Sequence, residues 1–129
     1  LYSNLKERSL KNKISTDFNL NSEYFDNFLH AITEIRNICA HYGRLWNRKF
    51  PAKIKILKNT ENGWLKNIPE DKDCNKIYLY LSYIKFVTDY LDINNNFAVD
   101  LKELIQKNEL IDLNSMGFTN DWKEEELWK

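Results

Sequence analysis

The stretch from Ser22 to Gly43 reads SEYFDNFLHAITEIRNICAHYG, and its spacing decides the fold. Phe25, Phe28, Leu29, Ile32, Ile35 and Cys39 recur at the intervals of an amphipathic helix with one apolar face. Ser22 is the expected N-cap, and Glu23 falls in the first turn, where the helix dipole favours an acid. Gly43 is the expected C-terminal stop. The stripe assigns Cys39 to packing. The opposite face carries His30, Glu34, Asn37 and His41.

On the N-terminal side, Leu1 to Ile14 reads as a short helix carrying Tyr2, Leu5 and Leu10, broken by Asp17 to Asn21. On the C-terminal side, Arg44 to Asn75 holds both prolines, Pro51 and Pro69, the punctuating pair Asn62-Gly63, and little periodicity. It reads as a long basic excursion with a short helix near Ala52 to Leu57, and a loop of that length inside a compact domain is usually functional. A third helix follows from about Asn75 to Ile93, with Ile77, Leu81, Ile84, Val87, Thr88 and Leu91 on one stripe. Asn94-Asn95-Asn96 ends it, and a shorter helix runs from Val99 to Asn108 with Leu101, Leu104 and Ile105. The tail carries Met116, Phe118, Trp122 and Trp128, too aromatic to hang free, and is expected to dock on the helices. The expectation is an all-α bundle forming a single domain over residues 1–129, with a long basic loop after the central helix.

Composition agrees. The chain has 129 residues, 43% hydrophobic and 29% charged, the balance of a globular domain. Three glycines and two prolines are too few for a fold of many short strands. No run of apolar residues is long enough to span a membrane, and no secretory leader pattern opens the chain. Cys39 and Cys74 match no metal spacing and make a poor disulfide framework, so a reducing cytoplasm is the expected setting. Net charge is zero, yet residues 1–60 hold eleven Lys and Arg against five Asp and Glu, while residues 61–129 hold eight against fourteen. The densest basic stretch is Arg44, Arg48, Lys49, Lys53, Lys55 and Lys58, with no acid among them. Such a split points to a polyanionic partner, or else to a solvated basic loop balanced by the acidic half.

Residues able to do chemistry cluster at Arg36-Asn37-Ile38-Cys39-Ala40-His41. Asn37 and His41 share a helix face, while Arg36 lies about 140° from His41 on an ideal wheel, so only its long side chain or a partner molecule unites the two. A histidine can take a proton from a ribose 2′-hydroxyl or give one to a leaving 5′-oxygen. A guanidinium can hold the phosphate and stabilise charge growing on its oxygens. These groups suffice, without metal or cofactor, to cut RNA by internal attack of the 2′-hydroxyl, a route closed to DNA. The plainer alternative is an arginine paired with a nearby glutamate and a histidine hydrogen-bonded near a helix end.

The run Arg36-Asn37-Ile38-Cys39-Ala40-His41-Tyr42-Gly43-Arg44-Leu45-Trp46-Asn47-Arg48-Lys49-Phe50 closely resembles the signature of the Abi-like (abortive infection, AbiD/AbiF) family of phage-defence proteins. Met116-Gly117-Phe118-Thr119-Asn120-Asp121-Trp122 and the closing Leu127-Trp128 resemble that family's C-terminal pattern, with Thr119 where the family more often has Pro. The resemblance covers most of this chain and corresponds to the C-terminal part of a longer family member. That family belongs to the HEPN superfamily, marked by R-(N/D/H)-x-x-x-H, which Arg36, Asn37 and His41 match position for position. The resemblance implies an all-α fold, metal-independent ribonuclease chemistry and a homodimer in which two motifs face each other. Arg36 of one copy would then work with His41 of the other. A HEPN subgroup of toxins silenced by a nucleotidyltransferase carries a Tyr two positions after the His; here that position is Gly43, with Tyr42 adjacent.

On this reading Arg36 binds the scissile phosphate, His41 transfers the proton and Asn37 positions them. Arg44, Arg48 and Lys49 are the candidates for RNA-backbone contacts, and Trp46 either stacks a base or packs in the core. Glu34 is expected to orient a neighbouring His or Arg, and His30 to be a hydrogen-bonded bystander. Glu124, Glu125 and Glu126 are consecutive, so they fan out and form no metal site. The expected function is a metal-independent endoribonuclease of a phage-defence or toxin system, in the cytoplasm, with RNA and a second copy as partners and an antitoxin or regulatory RNA as a further one. The alternatives are a non-catalytic RNA-binding or interaction module and a structural domain whose motif supports dimerisation.

Overall fold

In the computed structural model of the chain, which describes residues 2–58 and 63–129, four α-helices and four short 3-10 turns account for all regular structure, and no strand occurs among the described residues. The fold is all-α. The helices are α1 (Arg8–Thr16), α2 (Ser22–Ala40), α3 (Ile77–Leu91) and α4 (Phe97–Gln106).

α1 is shorter than its apolar pattern predicts. A 3-10 turn, Tyr2–Asn4, precedes it, and the start of the expected helix, Leu1, lies outside the described residues. Tyr2 sets its ring edge-on against Phe25 of α2 at 4.9 Å, which anchors the N-terminal segment across α2. α1 closes on a left-handed residue, Asn19 (φ 56°), where Leu20 N–H reaches Ser15 O and Asn19 N–H reaches Thr16 O. These two bonds satisfy carbonyls that the helix end leaves open. Leu20 then enters the core.

α2 begins one residue earlier than expected. Asn21, not Ser22, is the N-cap, accepting from Tyr24 N–H at 3.0 Å. Phe25 and Phe28 are buried as the stripe predicts. The stripe continues through Ile32 and Ile35, which pack against the core, and fails only at its last member. Ala31 and Ile38 join the inward face, and Cys39, expected to be packed, is exposed.

α3 is the central element rather than a one-sided helix. Ile77, Tyr78, Leu79, Tyr80, Ser82, Tyr83, Lys85, Phe86 and Val87 are all buried, so its first three turns are covered nearly all round. Lys85 is kept there by its ion pair to Asp89, which also accepts from Asn95 Nδ2. α4 is the reverse case, with no buried residue and with Val99 and Leu104 exposed.

The segment between α2 and α3 is a long loop, as expected, without the short helix expected at Ala52 to Leu57. Lys53-Ile54-Lys55-Ile56 alternates with period two, and the chain runs here without regular structure, burying Ile54. Its backbone is tied down from three sides. Phe50 N–H reaches Asn75 O and Ile54 N–H reaches Cys74 O, at 2.8 and 3.0 Å. Asn27 of α2 brackets it, donating to Lys53 O and accepting from Lys55 N–H. From α3, Tyr80 donates to Ala52 O and Tyr83 to Lys55 O, both at 2.7 Å. Burial pushes both phenols well above the usual tyrosine range, and that of Tyr78 up to about 12. Of the expected punctuators, Gly63 takes a positive φ of 84°, while Asn62 lies outside the described residues.

The tail docks as its aromatic content predicts. Trp122, Leu127 and Trp128 are buried, with Trp128 stacked on Tyr78 and edge-on to Trp122. Glu125 does not fan outward with its neighbours. It is 2% exposed, and its carboxylate accepts from Lys66 N–H and Asn67 N–H at 2.7 and 2.8 Å, clamping the far end of the long loop.

Candidate functional site

The candidate residues gather where α2 runs out. α2 ends at Ala40, and His41 is its C-cap, so the last residue of the motif sits just past the helix. The i, i+4 relation survives in the backbone, since His41 N–H bonds Asn37 O at 3.1 Å. The turn then uses Tyr42, not Gly43, as its left-handed residue (φ 56°). Tyr42 N–H bonds Cys39 O and Gly43 N–H bonds Ile38 O at 2.8 Å, the same pair of bonds that closes α1. Gly43 is needed for a different reason than a simple stop. A Cβ there would lie 2.7 Å from Ile38 Cγ2 and 3.0 Å from Ile38 O, so only glycine fits so close to the helix.

Arg36, Asn37 and His41 are all exposed. Arg36 donates from Nη1 to Asn37 Oδ1 at 3.1 Å, which holds the guanidinium beside the amide. The His41 imidazole has no hydrogen-bond partner among the described residues. No bond joins Arg36 to His41 within the chain, in keeping with their separation on the helical wheel. The plainer reading of an arginine spent on a glutamate does not describe this site: none of the four arginines makes an ion pair among the described residues.

Glu34 and His30, predicted on the same face, part from the site. The Glu34 carboxylate lies 3.0 Å from the Tyr80 hydroxyl, facing α3, and orients neither His nor Arg. His30 is exposed at the rim of a groove of about 960 Å³ between the N-terminal segment and α2, lined also by Leu10 and Ile14.

The basic stretch divides in two. Lys53 and Lys55 are matched by Asp71 and Glu23 at 2.5 and 2.7 Å, in exposed pairs worth little individually. Arg44, Arg48 and Lys49 are exposed and meet no carboxylate among the described residues. Arg44 and Arg48 line a shallow cleft of about 270 Å³ together with Trp46 and Asn47. Trp46 is 42% exposed, so it is not a core residue, and it also borders a mixed groove lined by Leu104, Leu110 and Ile111 together with Lys107 and Glu109. Sequence reasoning passed over Tyr42 in this region, although it is 98% exposed. No local signal marked it, because Gly43 is the residue type that ordinarily takes the left-handed position of a helix end.

Among the described residues, no group of three or more His, Cys, Asp or Glu side chains comes together that could hold a metal ion. No described helix is long and apolar enough to cross a membrane.

The sequence model of the Abi-like protein family matches residues 1–47, which span α1, α2 and the whole Arg36–His41 segment. The tail likened above to the family's C-terminal pattern lies outside that match. No curated protein and no solved structure matches the chain.

Proposed function

We propose that this chain is a HEPN-type endoribonuclease domain of an abortive-infection system, cutting RNA without a metal. What supports the reading is one observation: within the segment similar to Abi-like proteins, Arg36, Asn37 and His41 are exposed together at a helix end, with Arg36 held by Asn37 and His41 free of any competing bond. In the reaction, the ribose 2′-oxygen attacks the adjacent phosphorus and the bond from phosphorus to the 5′-oxygen breaks. One His41 takes the 2′-hydroxyl proton or delivers a proton to the departing 5′-oxygen. Arg36 binds the phosphate and offsets the charge growing on its non-bridging oxygens. Arg44, Arg48 and Lys49 hold the flanking backbone. The products are a 2′,3′-cyclic phosphate and a 5′-hydroxyl.

The geometry within one chain leaves Arg36 and His41 apart, and a homodimer with facing motifs joins Arg36 of one copy to His41 of the other. Residues 35–58 contain no Asp or Glu, and RNA phosphates between the copies supply charge that neutralises their arginines and lysines. The test is complementation between dead subunits. Arg36→Ala and His41→Ala proteins are each inactive alone; refolded together they regain cleavage, because a mixed dimer holds one intact Arg36–His41 pair. If the mixture stays inactive while wild type cuts, the site is not shared between copies. Retention of RNA binding with no cleavage by wild type would favour an RNA-binding module instead.

A further inference from the structure

Tyr42 sits against the grain of its own backbone. Its φ of 56° lies in the left-handed region, where a residue with a Cβ is strained and glycine is the usual occupant of this helix-end position. The next residue is a glycine, and the matching position of α1 is filled by Asn19, a residue type that tolerates the conformation. The strain yields no packing in return. Tyr42 is 98% exposed, its ring meets no other ring, and its hydroxyl has no partner among the described residues. The mount is nonetheless rigid, fixed by the two turn bonds to Cys39 O and Ile38 O and by the close fit of Gly43 on Ile38.

We infer that Tyr42 is a base-stacking residue of the Arg36–His41 site, which takes RNA as a single strand with a base turned out onto the Tyr42 ring. The inference rests on the ribonuclease reading above. Aromatic and cationic side chains alternate here as Tyr42, Arg44, Trp46 and Arg48, with both arginines unpaired and Trp46 open to solvent. A basic track with exposed rings is how single-stranded nucleic acid is held, with rings taking bases and cations taking phosphates. A base inside a duplex has both faces covered, so a solitary ring can stack only on an unpaired one. A second copy of the chain is the weaker candidate for this ring. Without RNA between the copies of the dimer proposed above, a direct two-fold contact at Tyr42 would set Arg44 and Arg48 near their own copies.

The test uses the full chain and RNA strands about ten nucleotides long, 2′-O-methylated so that they cannot be cut, with 2-aminopurine at successive positions. Wild type quenches the probe at one position of the single strand and leaves the same probe unquenched in a duplex. Tyr42→Gly loses the quench and binds about five- to a hundredfold more weakly, with a thermal midpoint no lower than wild type. Tyr42→Phe, which keeps the ring, restores the quench. Equal quench and affinity in Tyr42→Gly, or duplex binding as tight as single-strand binding, overturns the inference. So does a Tyr42→Gly protein that changes only its self-association by sedimentation. Parallel cleavage of unmodified RNA separates the two claims: cutting that ignores Tyr42 removes the stacking role alone, Tyr42-dependent quenching without cutting removes the ribonuclease reading alone, and no binding at low salt removes both.

Discussion

The two helices that meet at the N-terminal side of the molecule end with the same hydrogen bonds and opposite surroundings. α1 closes through Asn19, and Leu20 behind it is only 6% exposed. α2 closes through Tyr42, followed by Gly43 and then by Arg44 in solvent. The first end uses a residue suited to the left-handed turn and follows it with a side chain that joins the core. The second uses a residue unsuited to it and directs the ring outward, beside an arginine, an asparagine and a histidine that face solvent. The backbone motif is therefore common to both, and the side chains decide which end joins the core and which stays exposed.

That contrast can be broken by substitution. Leu20→Ala at the α1 end should lower stability by about 3 kcal/mol, since it deletes a buried side chain whose site cannot fully collapse. Denaturant titration checks it. Gly43→Ala at the α2 end should cost about 2 kcal/mol, because the new methyl must displace Ile38. Tyr42→Gly should move the other way and stabilise by about 1 kcal/mol, through relief of the left-handed strain. A fall in stability for Tyr42→Gly would mean the ring has a structural partner. The smallest effect is chemical. Cys39, on the last turn of α2, should react with a thiol reagent in the native state, whereas Cys74 is buried, with its thiol pushed up by that burial, and should react only on unfolding.

Much of this was readable from spacing. The apolar period of Phe25, Phe28 and Ile32 located α2, and the chemistry of Arg36, Asn37 and His41 located the candidate site at its end. The failures have physical causes. Cys39 continues the stripe in sequence, but at the end of α2 the neighbouring Ile38 is the side chain that packs against the core, and Cys39 is left exposed. Ile54 and Leu57 are three apart, which suggests a helix, yet tyrosines from α3 take up carbonyls of that backbone through bonds spanning 28 residues, and no helix forms. Such long-range bonds leave no local trace. The same holds for Glu125, one of three adjacent glutamates, whose inward turn depends on two backbone amides more than fifty residues away.

The central claim is that the bare end of α2 cuts RNA through His41. The most direct measurement incubates wild type and His41→Ala with mixed single-stranded RNA in chelator, follows cleavage, and identifies the product ends. The account predicts cleavage by wild type alone, with 2′,3′-cyclic phosphate and 5′-hydroxyl ends, and folding stability of the two proteins equal within about 0.5 kcal/mol because His41 is exposed. Cleavage by both proteins, or 3′-hydroxyl ends from wild type, would contradict it.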